Sequence, residues 1–158
     1  MEISIDKVLF ATDFSPATEA AFSYAAAIAD RYHSRLYVAH VINPESFYLF
    51  EPESAQAMIK QAHDEAARKI TQLLAPLRLE HWILDHVPQN SDLRNRIHFE
   101  RGFGPATDSI LDFAEKGAVD IIVMSVRGLD PVMAAHLPKS DTAHELVSRA
   151  PCPVLTIR

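Results

Sequence analysis

The chain has 158 residues, a formal net charge of −6 at neutral pH and an apolar share of 48%. This length and composition suit one domain spanning residues 1–158 with a sizeable core, and they exclude a disordered chain. The acidic balance argues against general affinity for nucleic acid or an anionic membrane, and no basic run interleaved with aromatics appears.

The single cysteine, Cys152, rules out an internal disulfide and is expected to pack as a small apolar group. The opening MEISIDKVLF lacks the basic region and apolar stretch of a signal peptide. No apolar run approaches the roughly 20 residues of a membrane span. The expectation is a soluble, cytoplasmic protein.

Taken in chain order, Lys7 to Thr12 (KVLFAT) predicts a short buried parallel strand, ended by Asp13-Phe14-Ser15-Pro16. Ser15 can cap the next helix, with Pro16 at its first position and Glu19 near the positive end of its dipole. That alanine-rich helix is expected to run to about Tyr32. Arg35 to His40 predicts a second strand, and Val41 to Glu53 a loop with Pro44 and Pro52. Met58, Ile59, Ala62, Ala66, Ile70, Leu73, Leu74 and Leu77 recur at helical spacing and predict a long helix over 54–77. Leu79 to Arg96 reads as a connection with one helical turn, or as a rim of the cleft.

Arg96 to Arg101 predicts a third strand, stopped by Gly102-Phe103-Gly104-Pro105. Pro105 opens a helix with Ile110, Leu111 and Ala114 inward and Gly117 as its stop. A fourth strand is expected over Asp120 to Met124. The last helix, Thr142 to Ala150, should turn Ala143, Leu146, Val147 and Ala150 inward. Pro153 to Ile157 predicts a fifth strand. Strands alternating with helices predict an α/β fold: a doubly wound, open parallel sheet with helices on both faces. Ligands bind such sheets beyond the carboxyl ends of the strands, where strand order reverses. That rule singles out Ala11-Thr12-Asp13, His40-Val41-Ile42, the Gly102 turn, and Met124 to Gly128.

These segments resemble the universal stress protein family. The resemblance rests on KVLFATDFS, LYVAHVI, GFGPATDSILDFAEKGAVDIIVMS and the closing HELVSRAPCPVLTIR, in order along nearly the whole chain. It implies a five-stranded Rossmann-like sheet in the order 3-2-1-4-5. It also implies a homodimer that pairs its last strands, here Pro153, Val154, Leu155, Thr156 and Ile157. An apolar terminal edge strand invites such pairing.

One branch of the family binds ATP through G-x2-G-x9-G-[ST], whose glycines let backbone amides approach the phosphates at a helix N-terminus. Carried onto this chain, the site takes Ala11, Asp13, Val41, Met124, Ser125, Arg127, Gly128, Lys139, Ser140, Asp141 and Thr142. In the relatives the aspartate matching Asp13 lies against the nucleotide, and the backbone matching Val41 reads adenine. Asp13 as a simple helix or turn cap is an equal alternative.

The motif itself is altered. Ser125 stands at the first glycine, and Gly128 is retained as the second. Aligning the APCPVL ending places Ser140 at the third glycine and Asp141 at the Ser/Thr, two residues too far from Gly128. Keeping the spacing places Pro138 and Lys139 there instead. Pro131 and Pro138 remove two amide donors. Asp130 and Asp141 add negative charge, and one such charge about 5 Å from a phosphate costs on the order of 3 kcal/mol at an effective dielectric near 20. Arg127, His136, Lys139 and the helix amides act the other way.

The expected function is therefore a non-catalytic regulatory or adaptor homodimer in the stress response, with a degraded nucleotide loop and no required cofactor. One alternative is an ATP-binding switch using ATP and magnesium, with slow hydrolysis. Another is a dimerising scaffold whose partner surface is Phe47, Tyr48, Leu49 and Phe50; packing of that quartet as local core competes with it. The eight histidines show no metal-ligand spacing and are expected to be scattered surface residues. The chain lacks a G-x-S-x-G elbow, a P-loop, H-x-G-H and S-G-G-x-D-S signatures, and the paired acids and phosphoacceptor of a receiver domain.

Overall fold

The computed structural model describes residues 3–12, 17–42, 81, 85–126 and 142–158. They form β1 (Lys7–Thr12), α1 (Ala17–Arg31), β2 (Arg35–Ile42), β3 (Ile97–Phe103), α2 (Ala106–Gly117), β4 (Ile121–Ser125), α3 (Thr142–Arg149) and β5 (Val154–Ile157). The strands make one parallel sheet in the order β3-β2-β1-β4-β5, as expected. Helices pack on both faces, giving the Rossmann-like α/β fold. The expected helix over 54–77, the Phe47 to Phe50 quartet and the Ser15-Pro16 start of α1 lie outside the described residues.

β1 is the central strand, and its alternation builds both halves of the core. Val8 and Phe10 face α1, whereas Leu9 and Ala11 face α2 and α3. On the first face Ala21, Ala25 and Ala29 are fully buried. Their small side chains let α1 lie close to the sheet, and Phe22 fills the space with an edge-on contact to Phe10 at 5.4 Å between centroids. On the second face Ile110 and Ala114 of α2 and Leu146 of α3 close over Leu9, Ala39 and Ile122.

Polar clasps lock the ends of these elements. After α1 the chain reverses through His33 at φ 54°, and the Ser34 hydroxyl donates to the Ile5 carbonyl at 2.5 Å. Arg96 donates to the carbonyls of Ala29 at 3.1 Å and Ser34 at 2.6 Å. It thus ties the last turn of α1 and the turn after it to the start of β3; the Ala29 carbonyl also accepts from the Ser34 amide. Asp120 accepts from the amides of Asp6 at 2.8 Å and Lys7 at 2.9 Å, which anchors the start of β1 beside β4.

Several boundaries differ from the sequence reading. β3 starts at Ile97 because Arg96 ends a 3-10 turn, Asp92–Arg96, whose N-cap Ser91 accepts from the Leu93 amide. β2 extends to Ile42 and β3 to Phe103, since the two strands continue to pair at Ile42↔Phe103. Gly102 is therefore strand, and Gly104 makes the turn at φ 114°. Ala118, not Gly117, takes the left-handed conformation after α2 at φ 48°. β4 is Ile121–Ser125, one residue later than expected.

In α3 the buried stripe follows Ala143, Leu146 and Ala150, while Val147 is 57% exposed. Val147 sits about 100° around the helix from Leu146, which carries it off that stripe.

Candidate functional site

Strand order reverses between β1 and β4. The chain passes from β1 to β2 and β3 on one side, then crosses to β4 and β5 on the other. The crevice at the carboxyl ends of β1 and β4 is the position this architecture provides for a ligand.

Ala11, near the end of β1, lies opposite Ala39 of β2 and Met124 of β4. Ala11 and Met124 are each 7% exposed. Val41 lies two residues beyond Ala39, and all of these belong to or pack against the core cluster under α2 and α3. Ala11, Val41 and Met124 thus share one sheet face and make an apolar wall at its carboxyl end. Ser125 is buried and ends β4, with its side chain alternating to the face opposite Met124, and Thr142 is the first residue of α3. Asp13, Arg127, Gly128, Lys139, Ser140 and Asp141 lie outside the described residues.

Two residues singled out by their place at the strand ends, His40 and Gly102, contribute in ways that the rule does not specify. His40 lies opposite Thr12, and its Nδ1 donates to the Thr12 carbonyl at 2.9 Å. That bond ties the ends of β1 and β2 together and places the ring proton on Nδ1. Gly102 lies opposite Val41. A Cβ there would stand 2.9 Å from Val41 Cγ2 and 3.0 Å from Ser109 Cβ. The absent side chain lets β3, Val41 and α2 close together at the cleft. The available signal was a glycine inside a strand, which marks close approach.

The proposed dimer strand β5 occupies the sheet edge and pairs with β4 alone. Val154, Leu155, Thr156 and Ile157 are half-buried, and Pro153 is exposed. The Pro153 and Ile157 carbonyls accept from Ile122 and Val126 across the β4 side. The alternation of a strand then turns the backbone groups of Val154 and Thr156 to the open edge.

Cys152 is half-buried rather than fully buried. Burial raises its thiol pKa, the Asp120 carboxylate adds to the rise, and a backbone hydrogen bond at Ile122 opposes it. A raised pKa leaves little thiolate, so the group suits packing better than nucleophilic chemistry. Among the described residues no cluster of three His, Cys, Asp or Glu side chains could hold a metal ion. Nor is any described helix long and apolar enough to cross a membrane.

The family model for the universal stress protein family matches residues 4–158. The chain belongs to the universal stress protein family. It is 32% identical over 151 residues to a universal stress protein encoded in the 3′ region of a sulfhydrylase gene of Thermus aquaticus, covering 96% of this chain and 97% of that protein.

Among solved structures it is similar to a universal stress protein of Lactobacillus plantarum, with a TM-score of 0.69, 21% identity, and coverage of 99% and 100% of the two chains. A universal stress protein in complex with cAMP aligns with a TM-score of 0.57 and 17% identity over 99% of this chain and 98% of that one. A universal stress protein of Archaeoglobus fulgidus in complex with dAMP gives 0.52 and 17% over 99% and 100%.

Proposed function

We propose that this universal stress protein is a non-catalytic regulatory homodimer whose cleft takes the adenosine end of a nucleotide and gives little grip to a triphosphate. The observation that carries this reading is the contrast between the two ends of the cleft. Ala11, Val41 and Met124 form an apolar wall suited to a planar base. The phosphate segment has lost two of its three motif glycines, gained prolines and gained acids. Relatives of the same fold bind cAMP and dAMP, ligands with a single phosphate. A base-and-ribose site with a weak phosphate grip matches such ligands better than ATP. The open edge of β5 supports pairing with a second copy.

Isothermal titration tests the reading with AMP, cAMP and ATP with magnesium. The expected result is binding of AMP or cAMP at least as tight as that of ATP. Binding of ATP tenfold or more tighter than AMP would instead establish the ATP-switch reading. No binding by any of the three would leave the adaptor role without a nucleotide. Light scattering after gel filtration should give about twice the 17.6 kDa chain mass.

A further inference from the structure

A second cavity lies on the α2 face of the sheet, running from Lys7 at the start of β1 to Glu100, which is in register with Ala39 and so stands level with Ala11. Its volume is about 300 Å³, and Lys7, Leu9, Tyr37, Glu100, Phe113 and Lys116 line it. The size falls at the lower end of small-molecule sites. At about 30 Å³ per liquid water it matches some ten waters, the space of a molecule with about a dozen heavy atoms.

The register explains why the cavity exists. Leu9, Tyr37 and His98 stand side by side on β1, β2 and β3. Phe113, Lys116 and Gly117, from the last half of α2, and Val119 just after it face this row across the cavity. Leu9 and Phe113 supply apolar surface. Tyr37 supplies a flat wall and is stiffened by stacking on His98, with centroids 5.1 Å apart and planes 26° apart.

The polar groups are unusual in what they do not do. The Lys7 ammonium donates to the Gly117 carbonyl at 2.5 Å, at the negative end of α2. An ammonium has three hydrogens, so two remain. Among the described residues the Lys7 ammonium makes no ion pair with a carboxylate, although its amide donates to Asp120. Glu100 is half-buried on β3 and makes no ion pair or hydrogen bond there either. Lys7 and Glu100 lie two strands apart, with strands about 4.8 Å apart, and are offset along them, which keeps the two charges from pairing across the cavity.

We propose that this cavity binds a small aromatic carboxylate carrying an amino group at the far end of its ring. The carboxylate meets Lys7, since Lys116 at the rim is already paired with Asp112 at 2.8 Å. The amine meets Glu100, and the ring lies between Tyr37 and the Leu9–Phe113 surface. The ligand joins two opposite charges that the protein holds apart.

The test uses 4-(aminomethyl)benzoate, followed by amide chemical shifts of the full chain. Benzoate and benzylamine serve as probes that each lack one end. The expected outcome is selective, saturable shifts at Lys7, Tyr37, Glu100 and Phe113, with each single-ended probe about tenfold weaker. Glu100→Gln should bring the affinity for 4-(aminomethyl)benzoate down to that for benzoate while leaving benzoate unchanged. Lys7→Gln should do the converse with benzylamine. Absence of shifts at these residues up to about 10 mM ligand, roughly ten-thousandfold above a micromolar dissociation constant, overturns the proposal. Shifts that persist undiminished in both variants overturn it equally.

Discussion

Removing the Asp120 side chain should loosen the start of β1 and change the chemistry of Cys152 at the same time. One carboxylate oxygen accepts both the Asp6 and Lys7 amides, at 2.8 and 2.9 Å. Hydrogen bonds to a charged group contribute about 1.5–3 kcal/mol each. Two that share one oxygen contribute less than twice that, and the Asp6 side is exposed to water. Asp120→Ala should therefore cost about 2–4 kcal/mol, a large fraction of the roughly 5–15 kcal/mol that holds a domain together. Asp120→Asn retains an acceptor of the same shape and should cost about half as much. Urea denaturation at constant m-value measures both.

The same charge also raises the Cys152 thiol pKa, second to burial. Asp120→Asn should consequently lower that pKa, read from the pH dependence of thiol alkylation. A loss below about 0.5 kcal/mol in Asp120→Ala, the range of an ordinary surface change, would refute the anchoring role. An unchanged thiol pKa in a folded Asp120→Asn would refute the electrostatic link.

Three further outcomes are expected. The Cys152 pKa is raised from its ordinary value of 9.0, so the unfolded chain ionises first as pH rises. Stability should fall as pH climbs above that value toward the folded pKa, and Cys152→Ala should show a smaller alkaline decline in thermal melts. Gly102→Ala puts a methyl group 2.9 Å from Val41 Cγ2 and 3.0 Å from Ser109 Cβ. It should cost about 1–3 kcal/mol in denaturant titrations and weaken AMP binding, because Val41 is displaced. Thr156→Pro removes an amide from the open edge of β5 while sparing the β4 ladder, so it should yield a folded monomer by light scattering. A stable dimer in that variant places the interface elsewhere.

The sheet was legible because each strand is a short apolar run bounded by turn residues, and a parallel strand buried on both faces needs such a run. β1 matches residue for residue. The misplacements have local causes. Arg96 has the look of a strand residue, yet its guanidinium is drawn to carbonyls of Ala29 and Ser34, more than 60 positions earlier. Val147 was placed inward on hydrophobicity alone, although it lies off the stripe through Leu146. The apolar wall of the crevice could be read from strand ends. The second cavity could not, since Lys7, Tyr37, Glu100 and Phe113 meet only through strand register and helix docking. Periodicity within a segment carries no information about such meetings.

The Arg96 clasp bears on the order in which the molecule assembles. Its acceptors are carbonyls at the end of α1 and in the turn after it, and they are correctly placed only once α1 and β2 have formed. β1, α1 and β2 are contiguous in the chain, so they can close with short loops. β3 comes from far downstream and must find an edge that already exists. This contiguity predicts that the Arg96 latch engages late, so that the arrival of an edge strand is coupled to the completion of α1.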